Sequence, residues 1–366
     1  MGFIDCDSHV IEVEHTWDFF DPAEARFRPT LAADYWSVGD LFMQWPGPMM
    51  SRWMYEDFPV GSCELADPPA RLAYMDRHGI DVQVLFPSWW LLYPVGSPAV
   101  EAAMSRSYNR WLAEGTADSG GRLRWAVHVP VRSVERAAQE MEFGREHGAV
   151  SVFLLGQNHG LSLDDPSMFA IYERAQDLDL AITVHVGGDL RVQRLHPGTS
   201  LYNGIMPVPG AFYAVVWAGL AKRFPRLRWA FLEAGSSWVP FVLQETFRAD
   251  ESGVFRSFKD WRVGAAEVFA RQQLFVAAQM DDDLPYLVGL TGPDHLVYGT
   301  DFGHLDLGSD PAGLQLVAGR SDLDPAVARK IVDTNGRRLY DIDPSFSPAP
   351  PPSAPAVLGV PSRVTP

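Results

Sequence analysis

Ile4-Asp5-Cys6-Asp7-Ser8-His9-Val10 sets an acid and an imidazole two residues apart among short apolar side chains. In an extended strand that spacing turns both toward one face. A carboxylate beside an imidazole at a strand end begins a site for a hard or borderline cation. Cys6, between them, points to the opposite face and is not counted. One Asp-x-His also arises in capped turns, so its weight depends on what recurs along the chain.

Seven more strand-like runs follow: Ile80–Phe86, Leu123–Val129, Ala149–Leu155, Leu180–Val186, Leu227–Glu233, Leu274–Ala278 and His295–Asp301. With Phe3–His9 they make eight. Helical stretches alternate with them, at Ala70–His78, Ala99–Gly115, Ser133–His147, Pro166–Leu178, Ala211–Arg223, Val239–Arg248, Leu284–Thr291 and Pro325–Tyr340. Gly79 and Gly148 act as helix stops. Strict alternation with buried-type strands predicts a parallel sheet, and eight units predict an α/β fold closed as a (β/α)8 TIM barrel. An open doubly wound sheet fits less well, because no Gly-rich phosphate loop follows the first strand.

Two stretches stand outside this rhythm. Residues 16–66 are long and rich in Trp and Met with little periodicity, and hold Trp36, Phe42, Trp45, Trp53 and Tyr55. They predict a packed, lid-like insertion after the first strand. Residues 342–366 hold eight prolines and read as an irregular tail with no core of its own. The expected organisation is therefore one barrel domain over 1–341, lid included, and a Pro-rich tail over 342–366.

Composition narrows the function classes. A net charge of −16 argues against a nucleic-acid partner, which needs clustered Lys and Arg. No apolar run approaches the ~18 to 20 residues of a membrane span. The N-terminal residues carry no basic or leader-like apolar segment, and two cysteines cannot build a disulfide framework. The expectation is a cytoplasmic protein, a homo-oligomer (a dimer), acting on a small molecule without nucleic-acid or membrane partners.

In such a barrel the site lies at the C-terminal strand ends. The first strand ends in Asp7 and His9, the fifth in His185, the sixth in Glu233 and the eighth in Asp301, with His304 three residues on. Singly, each has an ordinary explanation. A strand His is more often a hydrogen-bonded core residue, an Asp there often caps the next helix, and Glu233 could accept backbone hydrogen bonds. Jointly they are harder to dismiss, since charged groups are rarely buried unless paired or bound to metal. Mixed nitrogen and oxygen donors suit Zn, Mn or Fe and exclude a thiolate site. Trp89, Trp90 and Tyr93, after the second strand, are read as apolar substrate walls together with the lid; plain packing explains them equally well.

Several stretches then resemble the amidohydrolase superfamily, in the branch holding metal-dependent hydrolases and decarboxylases of aromatic acids. They are Asp5 to Glu12 (DCDSHVIE), Arg71 to Asp81 (RLAYMDRHGID), Val184-His185, Phe224 to Trp238 (FPRLRWAFLEAGSSW), Tyr298 to Asp306 (YGTDFGHLD) and Asn335 to Tyr340 (NGRRLY). The resemblance implies that Asp7 and His9 stand at the first ligand pair, His185 at the fifth-strand ligand and Asp301 at the eighth-strand carboxylate. That carboxylate also handles the proton of an activated water. Decarboxylases of this branch usually carry a His after the sixth strand, where this chain has Glu233. The departure favours a hydrolase acting on an amide, ester, lactone or thioester of an apolar or aromatic molecule. Asp301, His185 and Glu233 are its expected catalytic residues and Glu12 an expected substrate contact. A non-oxidative decarboxylase of an aromatic or unsaturated acid is the alternative. With Glu233, His304 and Glu12 near the ligands, one or two divalent ions per chain are expected, and the carboxylate count suits two.

Overall fold

The computed structural model describes residues 2–32, 35–38, 41–44, 58–92, 96–188, 200–251, 264–304 and 309–348. Strand β1 (Phe3–Val10) starts the barrel. Within the long insertion the backbone forms a small antiparallel sheet of β2 (Thr30–Ala32), β3 (Tyr35–Val38) and β4 (Leu41–Gln44), an element the weak periodicity there did not announce. Trp45, Trp53 and Tyr55 lie outside the described residues. The barrel continues with β5 (Ile80–Pro87), β6 (Leu123–His128), β7 (Ala149–Leu155), β8 (Ala181–His185), β9 (Trp229–Phe231), β10 (Leu274–Ala278) and β11 (Leu296–Tyr298).

Every neighbouring pair from β1 to β11 is parallel, in the order β1-β5-β6-β7-β8-β9-β10-β11. The last strand returns to the first. Asp301 N–H donates to Asp7 O at 3.0 Å, and a parallel bridge joins Ser8 to Phe302. The predicted (β/α)8 barrel is what forms. Its strands are buried on both faces, as helices outside and side chains inside require: all eight residues of β5 are buried.

Local chemistry sets the helix ends. Helix Pro68–His78 opens on Asp67, whose Oδ1 accepts from Ala70 N at 3.0 Å, with two prolines in its first turn. It ends at Gly79, whose φ of 68° is the left-handed cap an L side chain adopts poorly. The predicted last helix is instead broken into Pro325–Arg329, a π turn Lys330–Thr334 and Asn335–Tyr340. The first residues of the predicted tail pack onto the barrel: Arg337 Nη1 donates to the carbonyls of Asp343 (3.1 Å) and Phe346 (3.0 Å). Residues 349–366 lie outside the described set. No helix among the described residues is long and apolar enough to cross a membrane.

A buried polar layer joins β1 to β5 and to the segment after β11 and fixes β1. Arg71 is fully buried and donates to Gln83 Oε1 (2.8 Å), His9 O (2.9 Å) and Ser8 Oγ (3.2 Å). Asp5 accepts from Thr300 N (2.8 Å), Thr300 Oγ1 (2.7 Å) and Gln83 Nε2 (2.9 Å). Every hydrogen-bond acceptor of the Arg71 cation is a neutral oxygen, and its guanidinium lies over the Phe302 ring at 4.2 Å, so it fixes chain geometry.

Candidate metal centre

Asp7 and His9 share one face of β1, as the alternation requires, and Cys6 turns outward. Its Sγ lies 3.7 Å from Ile4 O, and a Cβ on Gly336 would fall 2.7 Å from it. Across the barrel, His185 at the end of β8 faces the same point. Its Nε2 is 3.3 Å from Asp7 Oδ1 and 3.1 Å from Glu233 Oε2. His9 Nε2 is 3.2 Å from Asp301 Oδ1, 3.5 Å from Asp7 Oδ1 and 4.0 Å from Glu233 Oε2.

The sequence runs β9 on to Glu233 and β11 on to Asp301, but both ladders stop short. Glu233 (φ 59°) and Asp301 (φ 53°) adopt left-handed backbone, which bends the chain out of the strand line and swings each carboxylate inward. Such a conformation costs an L residue ~1 to 3 kcal/mol and is held by its surroundings. Gly299 leaves the room this needs: a Cβ there would fall 2.2 Å from Asp7 Cβ.

The donor set fits a cation. His9 Nδ1 lies 3.0 Å from Pro87 O and His185 Nδ1 3.0 Å from Val186 O. Only an N–H meets a carbonyl, so each Nε2 turns its lone pair inward, against carboxylate oxygens. Acceptor facing acceptor at 3.1 to 3.5 Å is repulsive unless a cation lies between. His9 Nε2 is buried and makes no hydrogen bond among the described residues. Burial and the neighbouring His304 push His9 down to about 4, so a proton does not fill the gap at neutral pH.

Two overlapping groups, Asp7-His9-His185-Glu233 and His9-Glu233-Asp301-His304, each keep their donor atoms within 4.8 Å of one another. Bonds of ~2.0 to 2.2 Å put opposite donors of a single ion ~4 to 4.4 Å apart, so each group has the span of one ion. His304 meets the cluster edge-on. Its Nδ1 is 2.9 Å from Asp301 Oδ1, its Nε2 is 2.8 Å from Ser88 Oγ, and its ring stacks on His9 with centroids 3.8 Å apart. Ser309 Oγ donates to the other oxygen of Asp301 at 2.5 Å.

The remaining predicted residues sit elsewhere. Trp89 and Trp90 are buried in ring contacts, with Trp17 at 5.2 Å and His128 at 3.7 Å respectively. Tyr93 lies outside the described residues. Glu12 is buried under the loop after β5, where its Oε2 accepts from Trp89 N–H at 2.9 Å. The open space beside the ligands is on the opposite side, a small cleft that opens to solvent. The carboxylates Asp7, Glu233 and Asp301 line it, with Ala277, Ala278 and Gly299 giving it width. Gln279, one residue past β10, is its remaining wall. The sequence reading passed over Gln279 because it looked for charge at the strand ends; its place directly after an apolar run was the available signal.

The sequence profile of the family described as amidohydrolase matches residues 4–342. A 2-amino-3-carboxymuconate-6-semialdehyde decarboxylase from Dictyostelium discoideum is 24% identical over 293 residues, 76% of this chain and 78% of that protein. Among solved structures, an amidohydrolase from Mycobacterium avium subsp. paratuberculosis K-10 superposes with a TM-score of 0.77 at 20% identity, covering 93% of this chain and 99% of the other. A dihydroxybenzoic acid decarboxylase from Polaromonas sp. JS666, with bound manganese and the inhibitor 2-nitroresorcinol, gives 0.64 at 18%, covering 93% and 97%. These findings correct the hydrolytic reaction expected from the sequence: the relative matched by sequence is a decarboxylase, and so is the manganese-bound neighbour. The Glu233 departure carried too much weight against a match that runs over three quarters of the chain.

Proposed function

Since this chain belongs to the amidohydrolase family, we propose that it is a metal-dependent, non-oxidative decarboxylase of a small aromatic or unsaturated carboxylic acid. The observation that carries this reading is the similarity to a decarboxylase over three quarters of the chain. Asp7, His9 and His185, three members of one donor group, would hold one divalent ion, with Asp301 beside them at 3.2 Å from His9 Nε2 and manganese the first to try given the neighbour that binds it. Such an ion supplies positive charge for the substrate's carboxylate or an adjacent hydroxyl.

The chain's own groups do the rest. Nδ1–H contacts to Pro87 O and Val186 O lock the ligand imidazoles in the required tautomer. His304 and Ser309 each take one oxygen of Asp301 and hold that carboxylate in orientation. When the bond to the departing CO2 breaks, its electron pair stays on the substrate carbon, which must gain a proton. Glu233 lines the cleft, and as the free acid it would deliver that proton and recover one from water.

The test is CO2 release by manganese-loaded protein from ortho-hydroxybenzoates, 2,6-dihydroxybenzoate among them, and from unsaturated carboxylic acids. Turnover of at least one is expected. Glu233→Gln should keep its metal but release CO2 at least ~100-fold more slowly. Fully metal-loaded protein that decarboxylates none of them would refute the reading.

A further inference from the structure

The cleft beside the candidate ligands has an unbalanced wall. Three of its lining side chains are the carboxylates of Asp7, Glu233 and Asp301, and Ala277, Ala278 and Gly299 offer no polar side-chain atom. An incoming carboxylate would meet like charge from Asp7 and Asp301, and from Glu233 once it has given up its proton. Positive charge held by the ligands answers one of its oxygens; the other needs a donor that keeps its hydrogen through the reaction, which an N–H does and the Glu233 acid does not. Among the described lining residues, only Gln279 has a side chain that donates through N–H.

Gln279 is also built into place. Its backbone N–H donates to Asp282 Oδ2 at 2.8 Å. The same oxygen accepts from Ser236 N (2.9 Å) and Ser236 Oγ (2.7 Å), while Asp282 Oδ1 accepts from Ser237 Oγ at 2.5 Å. Buried Asp282 thereby ties the loop after β10 to the loop that carries Glu233. Gly235 makes space for the amide: a Cβ there would lie 3.1 Å from Gln279 Oε1, at a φ of 63°. Gln279 Nε2 rests on Glu233 O at 3.4 Å, a long contact that occupies one of its two N–H bonds and leaves the second for a ligand.

We propose that Gln279 is a specificity-determining residue whose side-chain amide donates to the carboxylate of the bound acid, on the β10 side of the cleft. The inference rests on the decarboxylase reading for the class of ligand. A neutral amide suits this wall, because it supplies a donor without the desolvation cost of burying another charge.

The experiment is isothermal titration of the manganese-loaded full chain, wild type, Gln279→Ala and Gln279→Glu, with 2,6-dihydroxybenzoate and other ortho-hydroxybenzoates. Metal content and thermal unfolding are measured on the same samples. Loss of a hydrogen bond to a charged acceptor predicts roughly 10- to 100-fold weaker binding for Gln279→Ala. Metal content should be unchanged, and binding to Gln279→Glu, of equal size but like charge, weaker still. Equal affinity for wild type and Gln279→Ala would overturn the inference, as would affinity lost only in step with metal or stability, which marks a structural role. If the acids bind and Gln279→Ala weakens them but no CO2 is released, the decarboxylase reading fails and the assignment of Gln279 stands. If metal-loaded wild type binds none of the acids, both fail.

Discussion

Glu12 provides a direct test of how this fold treats a buried acid. Its side chain is enclosed (2% exposed), Oε2 accepts from Trp89 N–H at 2.9 Å, and Oε1 has no hydrogen-bond partner among the described residues. Burial pushes the carboxyl from its ordinary 4.5 up to about 8, opposed weakly by the backbone N–H groups and His304. The folded protein therefore holds a proton that the unfolded chain releases near 4.5. The stability this confers is complete below about 4.5 and is lost as pH rises toward 8, above which the loss levels off. At 1.36 kcal/mol per pH unit, the interval between 4.5 and about 8 corresponds to about 5 kcal/mol, an upper figure because local rearrangement relieves part of it. Glu12→Gln has nearly the same shape, accepts the same Trp89 N–H and cannot ionise. In urea unfolding with chelator present, wild type should lose about 2 to 4 kcal/mol relative to Glu12→Gln between pH 5 and pH 9. Parallel pH–stability curves for the two proteins would refute the argument.

The two faces of β1 make opposite predictions. Asp7→Ala and His185→Ala should each lower metal content by elemental analysis, whereas Cys6→Ser should not, because the Cys6 thiol packs outward against Gly336 and Ile4; equal loss in Cys6→Ser would overturn the assignment of faces. Gly299→Ala should weaken metal binding by roughly 10- to 100-fold, since its Cβ would fall 2.2 Å from Asp7 Cβ and must displace that carboxylate. Gly210→Ala, whose Cβ meets nothing within 4 Å, is the control, and matching metal affinities in the two variants would count against the close approach at Gly299.

Much of this architecture was legible in the linear chain because its signals are local. Apolar runs such as Ile80–Phe86, trailed by capped helices, imply a parallel barrel whatever its side chains later do. The ligand types followed too. Once a barrel is granted, the residue ending each strand falls at one mouth, so Asp7, His9, His185, Glu233 and Asp301 could be grouped without coordinates. Other features depend on distances between segments remote in sequence. Nothing near residue 279 tells that Asp282 ties its loop to Ser236, or that Gln279 is left facing three acids. The burial of Trp89 and Trp90 was equally hidden, because an aromatic loop reads the same whether it lines a pocket or fills a core. The left-handed turns at Glu233 and Asp301 belong to this second kind. A strand pattern specifies which residues alternate, but the point where the ladder ends and a carboxylate swings inward is decided by close packing, as between Gly299 and Asp7. Periodicity is a property of neighbours in the chain; a cleft is a property of neighbours in space.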